Sequence, residues 1–427
     1  MENEARGLTT DRIKSLDITR GVAVMGIFSV NVVAMAMIQI AYFFPPAFGF
    51  SGAADHGIWL VNFLLIDGKL RSLFSMMFGA SVLLIVDRAV ATGRSPAKTH
   101  YARMIVLLLI GYLHWMLFWW GDILTHYAAV GMVIFLFRKA TAKTLLIVST
   151  ALFLLYAAPS AWFTHDGIEM SQRIESGQAT PKDLERAGKA RDAFYPNAEV
   201  LAADDSAHDN LMTHTNEMLT EEGPAKPFDF GPLWLETLGL MLLGMGLYRS
   251  GFLTGSLDPA FYRKVALLTL TTGFAGFAAA AAFAIAHDHR PAYQMAAYGG
   301  YTPLLRPWMA TGYAALIILL SRRGQASGWW ATHFAAVGRT AFSNYLFCTL
   351  IGTFLFFGFA GDLYLKLSRF ESWLIVPPVW LAMLLWSKWW LDRFQYGPLE
   401  WVWRSLARWQ VQPMRRSARA SATLSSE

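Results

Sequence analysis

Long apolar runs separated by short polar stretches organise this chain. Runs long enough to cross a bilayer occur at residues 18–41, 57–86, 104–120, 121–137, 144–162, 231–248, 265–286, 302–320, 334–359 and 372–391. They predict an all-α polytopic bundle of about ten transmembrane helices. The first run is longer than a signal-peptide core and no small-residue cleavage site follows it, so it is expected to stay as an anchor. One stretch breaks the rhythm: residues 163–230 are polar, rich in Asp and Glu, and too long for a simple connector. The expected division is five helices in 1–162, an insertion at 163–230, five helices in 231–393 and a basic tail at 394–427. Within the insertion, Gly167 to Ala193 has the composition of exposed helix with Pro181 as a helix start, and Leu201 to Met218 reads as another. The insertion is either a solvated cap or a lid over an outward-facing cavity.

Composition agrees with the pattern. A chain that is 55% hydrophobic, with 17 Trp and 30 Phe and a mean hydropathy of +0.35, is a membrane protein rather than a soluble one. The basic residues suggest its orientation, because short loops rich in Lys and Arg stay in the cytoplasm. With the N-terminus inside, alternate loops carry Arg88, Arg94, Lys98 and Arg103; Arg138, Lys139 and Lys143; Arg249, Arg263 and Lys264; and Arg322, Arg323 and Arg339. The tail adds Lys388, Arg393, Arg404, Arg408, Arg415, Arg416 and Arg419, which puts both termini in the cytoplasm and the insertion in the periplasm. The net charge of +6 then reflects topology and contact with anionic lipid, and no nucleic-acid partner is expected. Cys348 is the only cysteine, so no internal disulfide can form.

Polar residues inside the runs are the candidates for function, since hydrocarbon alone does not select them. Asp17 and Arg20 stand three residues apart at the start of the first span, and Asn31 follows Arg20 by eleven residues, about 16 Å along a helix. This is either a charged entrance leading to a mid-membrane polar group, or an interfacial cap with a structural Asn. In the second span Asp67, Lys69 and Arg71 interrupt the apolar pattern. Asp67 and Arg71 can pair at i, i+4, while Lys69 has no local partner and suits an anionic substrate group in an outer vestibule. His114 falls near mid-membrane. Asp122 and His126 are one turn apart, so the carboxylate is expected to fix the imidazole tautomer and leave the other nitrogen as a base. Each His also has a purely structural reading. Glu236, Arg306 and Asn344 are further polar points that can converge with these. His56 and the run His287 to Arg290 lie on the outer side without metal-site spacing, and no metal is expected.

Several of these segments resemble a known family. Arg12-x-x-Ser15-Leu16-Asp17-x-x-Arg20-Gly21 with Asn31, the stretch Asp67 to Ala80, and His114 through Trp120-Gly121-Asp122 to Ala128 are similar to the YeiB family of bacterial inner-membrane proteins. Gly338-Arg339-x-Ala341-x-Ser343-Asn344-Tyr345 and the terminal Phe394 to Arg404 segment extend the match over nearly the whole chain. That family is a domain of unknown function, so the resemblance implies a multi-pass inner-membrane fold before any reaction. The first-span pattern is more distantly similar to transmembrane acyltransferases of the heparan-glucosaminide acetyltransferase and polysaccharide O-acyltransferase types. In the O-acyltransferases an Asp, an Arg three later and a His eleven after that mark the acyl-donor channel; Asp17, Arg20 and Asn31 occupy those places here. The glucosaminide type carries Asn at the last place and a catalytic His in or near the following loop, where this chain offers His56, set further along.

The resemblance implies a transferase that moves an acyl group from a cytoplasmic acyl-CoA-like donor to an extracytoplasmic hydroxyl or amine. His56, His114 or His126 would be the base or acyl carrier, with Asp122 orienting it and Asn31 stabilising the oxyanion. Asp17, Arg20, Asp67, Lys69, Arg71, Glu236, Arg306 and Asn344 would bind substrate. Acyl-CoA would be a co-substrate rather than a tightly bound cofactor, the partners would be membrane lipids and the two small-molecule substrates, and a homodimer is left open. The same intramembrane charges also suit a transporter or exporter of a small amphipathic solute, and a structural or sensory membrane protein is a third reading.

Overall fold

A computed structural model describes residues 2–229, 231–322 and 328–415, the first twelve of these by backbone alone. Arg323 and the end of the basic tail, with Arg416 and Arg419, lie outside the described residues. The first half contains α1 (Glu2–Ala36), α2 (Gln39–Phe43), α3 (Ala53–Leu65), α4 (Lys69–Ala91), α5 (Pro96–Leu117), α6 (Leu124–Ile134) and α7 (Ala142–Glu175). The insertion adds α8 (Pro181–Phe194), α9 (Ala198–Ala207) and α10 (Leu211–Thr220). The second half holds α11 (Leu233–Arg249), α12 (Pro259–Ala286), α13 (Pro291–Met295), α14 (Leu305–Arg322), α15 (Trp329–Arg339), α16 (Ala341–Phe356), α17 (Arg369–Trp373), α18 (Val376–Arg393) and α19 (Pro398–Arg408). The protein is all-α; among the described residues the only β pairing is an isolated bridge between Phe394 and Arg415.

Each expected apolar run contains a helix, but the runs differ in their capacity to span. Six segments are long and apolar enough to cross a bilayer: Lys14–Ala36, Ala53–Ala91, Pro96–Leu117, Ala142–Glu175, Pro259–Ala286 and Arg369–Arg393. A seventh arises if Pro291–Gly300 and Leu305–Arg322, bent by 48° at their junction, act as one broken span. The remaining runs form the shorter Leu124–Phe137, Leu233–Arg249 and Ala341–Phe356 helices. The run expected at 334–359 is two helices broken at Thr340, and α7 continues 13 residues past position 162, so the insertion begins inside a helix. Pro181 starts α8 as expected, capped by Thr180. The single helix expected over 201–218 is instead the pair α9 and α10, with Asn210 as the N-cap of the second.

The most buried span is α1, held between α4, α15 and α16. Two crossings there are backbone to backbone. A methyl group at Gly21 would meet the Phe334 carbonyl oxygen and one at Gly338 the Asp17 carbonyl oxygen, so α1 and α15 touch where only glycine fits. Gly79 and Gly244 make the same kind of contact between α4 and α11, against Met241 and Met76. Between α3 and α4 the chain turns at Gly68, whose φ of +72° is open to glycine and whose missing side chain makes room for Arg306. Loops carrying basic residues meet in pairs: Arg249 reaches the carbonyls of Arg138 and Ala140, Arg322 that of Gly255, and Arg339 that of Gln395. The insertion packs on the other end of α5 from Arg103, with Phe228 stacked on Tyr112.

Candidate functional site

The main cavity is about 970 Å³ and its wall is built from α1, α4, α5, α15, α16 and α19, together with the residues that open α6. One end is basic, lined by Arg20, Arg88, Arg94, Lys98, Arg103, Arg339, Arg404 and Arg408, with Asp17 and Glu400 as the acids. The other end is apolar and aromatic, lined by Phe74, Phe78, Met104, Leu107, Tyr127 and Tyr345. An amphiphile with an anionic head and an apolar tail matches this polarity along its length.

Both acids of the wall are committed. Asp17 pairs with Arg20 at 3.0 Å, the i, i+3 contact expected from their spacing, and Arg20 also donates to the Ser81 hydroxyl of α4 at 2.9 Å. Glu400 accepts from the amide N–H groups of Phe342 (2.8 Å) and Ser343 (3.2 Å) and from the Ser343 hydroxyl (2.5 Å). It therefore caps the N-terminus of α16, where a carboxylate complements both the unpaired N–H groups and the helix dipole. Burial nevertheless pushes its carboxyl above the usual range.

Beside the aromatic end lies a buried His–Asp pair. Asp122 occupies the turn before α6, where its carboxylate accepts from Leu124 N (3.1 Å) and Thr125 N (2.8 Å) and so caps that helix. The same Oδ1 faces His114 Nδ1 at 2.8 Å. Both side chains are almost fully buried, and His114 Nε2 has no hydrogen-bond partner among the described residues. With Asp122 already holding two amide donors as an acceptor, the consistent assignment is Nδ1–H donating to Asp122 and Nε2 left with its lone pair. The Tyr345 ring, part of the cavity wall, packs on the His114 ring with centroids 5.5 Å apart. Its hydroxyl accepts from Ile123 N at 3.3 Å, which leaves the phenol proton available to donate.

The expected partner of Asp122 was His126, one turn on. The structure overturns this: Asp122 faces back to α5, whereas His126 points to α11 and meets the Thr237 hydroxyl at 2.8 Å. His126 belongs to a second polar centre. There Glu236 bonds Arg71 and lies 3.5 Å from Arg306, whose guanidinium also donates to the Tyr298 carbonyl at 2.5 Å. Glu236 is fully buried. The local Asp67 to Arg71 pair is also replaced, since Arg71 takes Glu236 and Asp67 accepts from the Tyr42 hydroxyl at 3.0 Å. Lys69 does not line a vestibule. It is fully buried, donates to the Phe63 carbonyl, and sits 3.2 Å over the Phe277 ring.

The remaining candidates are dispersed. Asn344 is a structural node in which its amide donates to Thr340 Oγ1 (3.0 Å) and Ser387 Oγ (3.1 Å) and its oxygen accepts from Trp386 (2.8 Å), tying the break between α15 and α16 to α18. Asn31 is half-buried on α1 and is outside the cavity wall. His56 is exposed, stacks on Phe50, and belongs to neither polar centre. Arg103, Arg404, Arg408 and Glu400 line the cavity without having stood out in the sequence, where the arginines read as topology signals and Glu400 as part of a family motif, while Tyr345 stood beside Asn344 as an intramembrane polar residue.

A polytopic all-α membrane protein with a basic-mouthed cavity and an adjacent buried His–Asp pair is the class these features define. Residues 247–410 match the family described as a protein of unknown function, DUF418. The chain is 31% identical over 408 residues to the uncharacterized protein YeiB of Escherichia coli (strain K12), covering 93% of this chain and 96% of that one. It is 29% identical over 421 residues to the uncharacterized protein YxaH of Bacillus subtilis (strain 168), covering 96% and 98%. It belongs to the YeiB family. A further relative, an uncharacterized 39.9 kDa protein in the amylase 3′ region of Bacillus acidopullulyticus, is 23% identical over 397 residues, covering 93% and 94%. No solved structure matches the chain.

Proposed function

We propose that this protein is a membrane acyltransferase of the bacterial inner membrane, with its basic end in the cytoplasm and its insertion in the periplasm. The observation that carries the reading is the continuity of one cavity from a basic mouth to an aromatic end whose wall, Tyr345, packs on the buried His114 and Asp122 pair. A thioester donor enters by the mouth with its acyl group toward Tyr127 and Tyr345. His114 Nε2 takes the proton of an acceptor hydroxyl or amine as that atom bonds to the thioester carbonyl carbon. The carbonyl oxygen becomes an oxyanion, and the phenol proton of Tyr345 on the cavity wall is its donor, in place of Asn31, which does not line the cavity. When the tetrahedral intermediate collapses, the C=O bond reforms, the C–S bond breaks, and the departing thiolate receives the proton held by His114. Asp122 keeps Nδ1 protonated throughout and stabilises the transient imidazolium.

The transport reading rests on the buried charges at Arg71, Glu236 and Arg306. All three are partnered with one another and none lines the cavity, which favours the enzyme. The test is thioester turnover: purified protein in proteoliposomes, supplied with acyl-CoA and a cell-envelope extract as acceptor, should release coenzyme A thiol and transfer the labelled acyl group. Absence of release in the wild type, or undiminished release after His114→Gln, would sink the acyl-transfer reading and return the cavity to the solute-transport alternative.

A further inference from the structure

The mouth of the cavity carries more positive charge than its own carboxylates neutralise. Arg88, Arg103, Arg404 and Arg408 line it, and none of them forms an ion pair among the described residues. Asp17 is held by Arg20 and Glu400 by the N-terminus of α16, so neither is available as their counter-ion. Two of these arginines are also prepared for a ligand. The Arg103 guanidinium lies 4.2 Å over the Trp403 ring, with its Nε buried and without a partner, and that of Arg404 lies 4.7 Å over the Tyr396 ring. A guanidinium lying over a ring is fixed in orientation while its N–H donors, which lie in its own plane, stay available. Arg408, on the same helix as Arg404, is exposed and donates to Gln412 at 2.6 Å through one nitrogen only. Burial pushes the Arg404 guanidinium below its usual range, with the like charges of Arg408 and Arg88 adding to the effect and Tyr396 and Glu400 opposing it. Like charges gathered at a cavity mouth in excess of the protein anions cost stability unless a ligand supplies the balance.

We propose that Arg103, Arg404 and Arg408 form a phosphate subsite for a phosphate-bearing head group, clamped between α5 and the tail helix α19. The subsite deepens the acyl-transfer reading and rests on it only for the identity of the donor. Guanidinium groups bind phosphate oxygens in pairs, which suits a multiply charged head better than a single carboxylate. The same chemistry is presented by a nucleotide thioester donor and by a lipid phosphate head.

The experiment uses the full chain in nanodiscs of phosphatidylcholine, which carry no net charge. Binding is followed by calorimetry and melting shift with three probes: inorganic pyrophosphate, coenzyme A, and nanodiscs doped with phosphatidylglycerol. Pyrophosphate should bind saturably, compete with coenzyme A, and lose about tenfold or more in affinity in Arg404→Gln and in Arg408→Gln. Arg408 is exposed, so its variant tests the subsite even if Arg404→Gln fails to fold. Arg393→Gln, a tail-end arginine outside the cavity wall, controls for overall charge and should bind as the wild type does. If phosphatidylglycerol gives a shift that Arg408→Gln abolishes while coenzyme A gives none, the subsite holds and its ligand is a lipid head. No saturable response to any probe, or unchanged affinity in Arg408→Gln, overturns the subsite. Normal coenzyme A binding without thioester turnover in the wild type would overturn acyl transfer alone.

Discussion

The two charged regions of this protein treat their arginines in opposite ways. Around Glu236 the charges answer one another as ion pairs, with Arg71 and Arg306 converging on one fully buried carboxylate from helices distant in sequence, although Arg71 Nη1 is buried there without a hydrogen-bond partner among the described residues. At the cavity mouth Asp17 answers Arg20 and Glu400 caps α16, while Arg88, Arg103, Arg404 and Arg408 line open space with no ion pair among the described residues. Answered charges in a low-dielectric interior fix how α4, α11 and α14 sit together; unanswered charges facing a cavity are held ready for something that arrives. Proximity to the membrane does not by itself mark a charged residue as functional. The presence or absence of a carboxylate partner separates the two cases.

Removing the central anion should produce the largest effect. Glu236→Gln leaves Arg71 and Arg306 buried without a counter-charge, and a destabilisation of about 3–5 kcal/mol is expected. Detergent melting followed by size exclusion should register it as a large loss of folded protein. A variant that melts like the wild type would mean that this centre is not structural and would erase the contrast with the mouth. The next effect belongs to chemistry. His114→Gln should lower thioester turnover by about two to four orders of magnitude while melting stays near wild type, and Asp122→Asn should impair turnover too by favouring the wrong tautomer. His126→Gln and His56→Gln should retain turnover, because neither ring pairs with Asp122 or packs on Tyr345; a deep loss in either would move the base away from His114.

A smaller effect is expected at the wall of the mouth. Arg20→Ala should weaken acyl-CoA binding by about tenfold, in a manner that diminishes as salt is raised, with little change in melting. Unchanged affinity at low salt would show that the head group contacts only the arginines of α5 and α19.

The last effect lies in the insertion. His214 is buried with neither ring nitrogen bonded among the described residues, and burial lowers its pKa from the ordinary 6.5 to about 4. His208, stacked on Tyr364, is also lowered by burial. Between about pH 6.5 and 4 the released His214 binds a proton that the docked one refuses, so docking should weaken as pH falls through that window. Glu217, pushed up to about 7 chiefly by burial, and Asp204, also raised by burial, act in the opposite sense, losing docking stability as pH rises through their docked values. Comparing wild type with His214→Phe isolates the imidazole contribution. Amide exchange over residues 198–220 should show the wild type losing protection relative to the variant from about pH 6.5 down to 4; parallel profiles would exclude His214 as the cause.

The sequence disclosed contacts one helical turn apart on a continuous helix and misjudged those that cross a break. Asp17 and Arg20 pair as their spacing dictates, because α1 is uninterrupted there. Asp67 and Arg71 do not, because Gly68 turns the chain between them and frees Arg71 for a carboxylate 165 residues away. Asp122 and His126 fail likewise: Asp122 precedes the helix and caps it, so its carboxylate faces α5 and finds His114 eight residues back. The convergence of Glu236 and Arg306 with the second-span charges was legible as costly placements needing partners, although which residue took which partner was not. The arginines of the mouth were visible one by one, but their assembly around a cavity depends on α19 returning to α5, which no local spacing encodes.

The glycine contacts described for α1 and α15, and for α4 and α11, have a mechanical corollary. Where two backbones touch there is no side-chain layer to slide on, so three sides of the cavity form a rigid frame. The tail helix α19 is pinned near its start by Glu400 and in its middle by Trp403, whose indole donates to the Arg103 carbonyl at 2.8 Å. Beyond that point Leu406, Trp409 and Val411 project outward. Such a frame resists spreading of the bundle, so any change in the volume of this cavity would have to come from the wall segments outside the glycine contacts, α5 and α19.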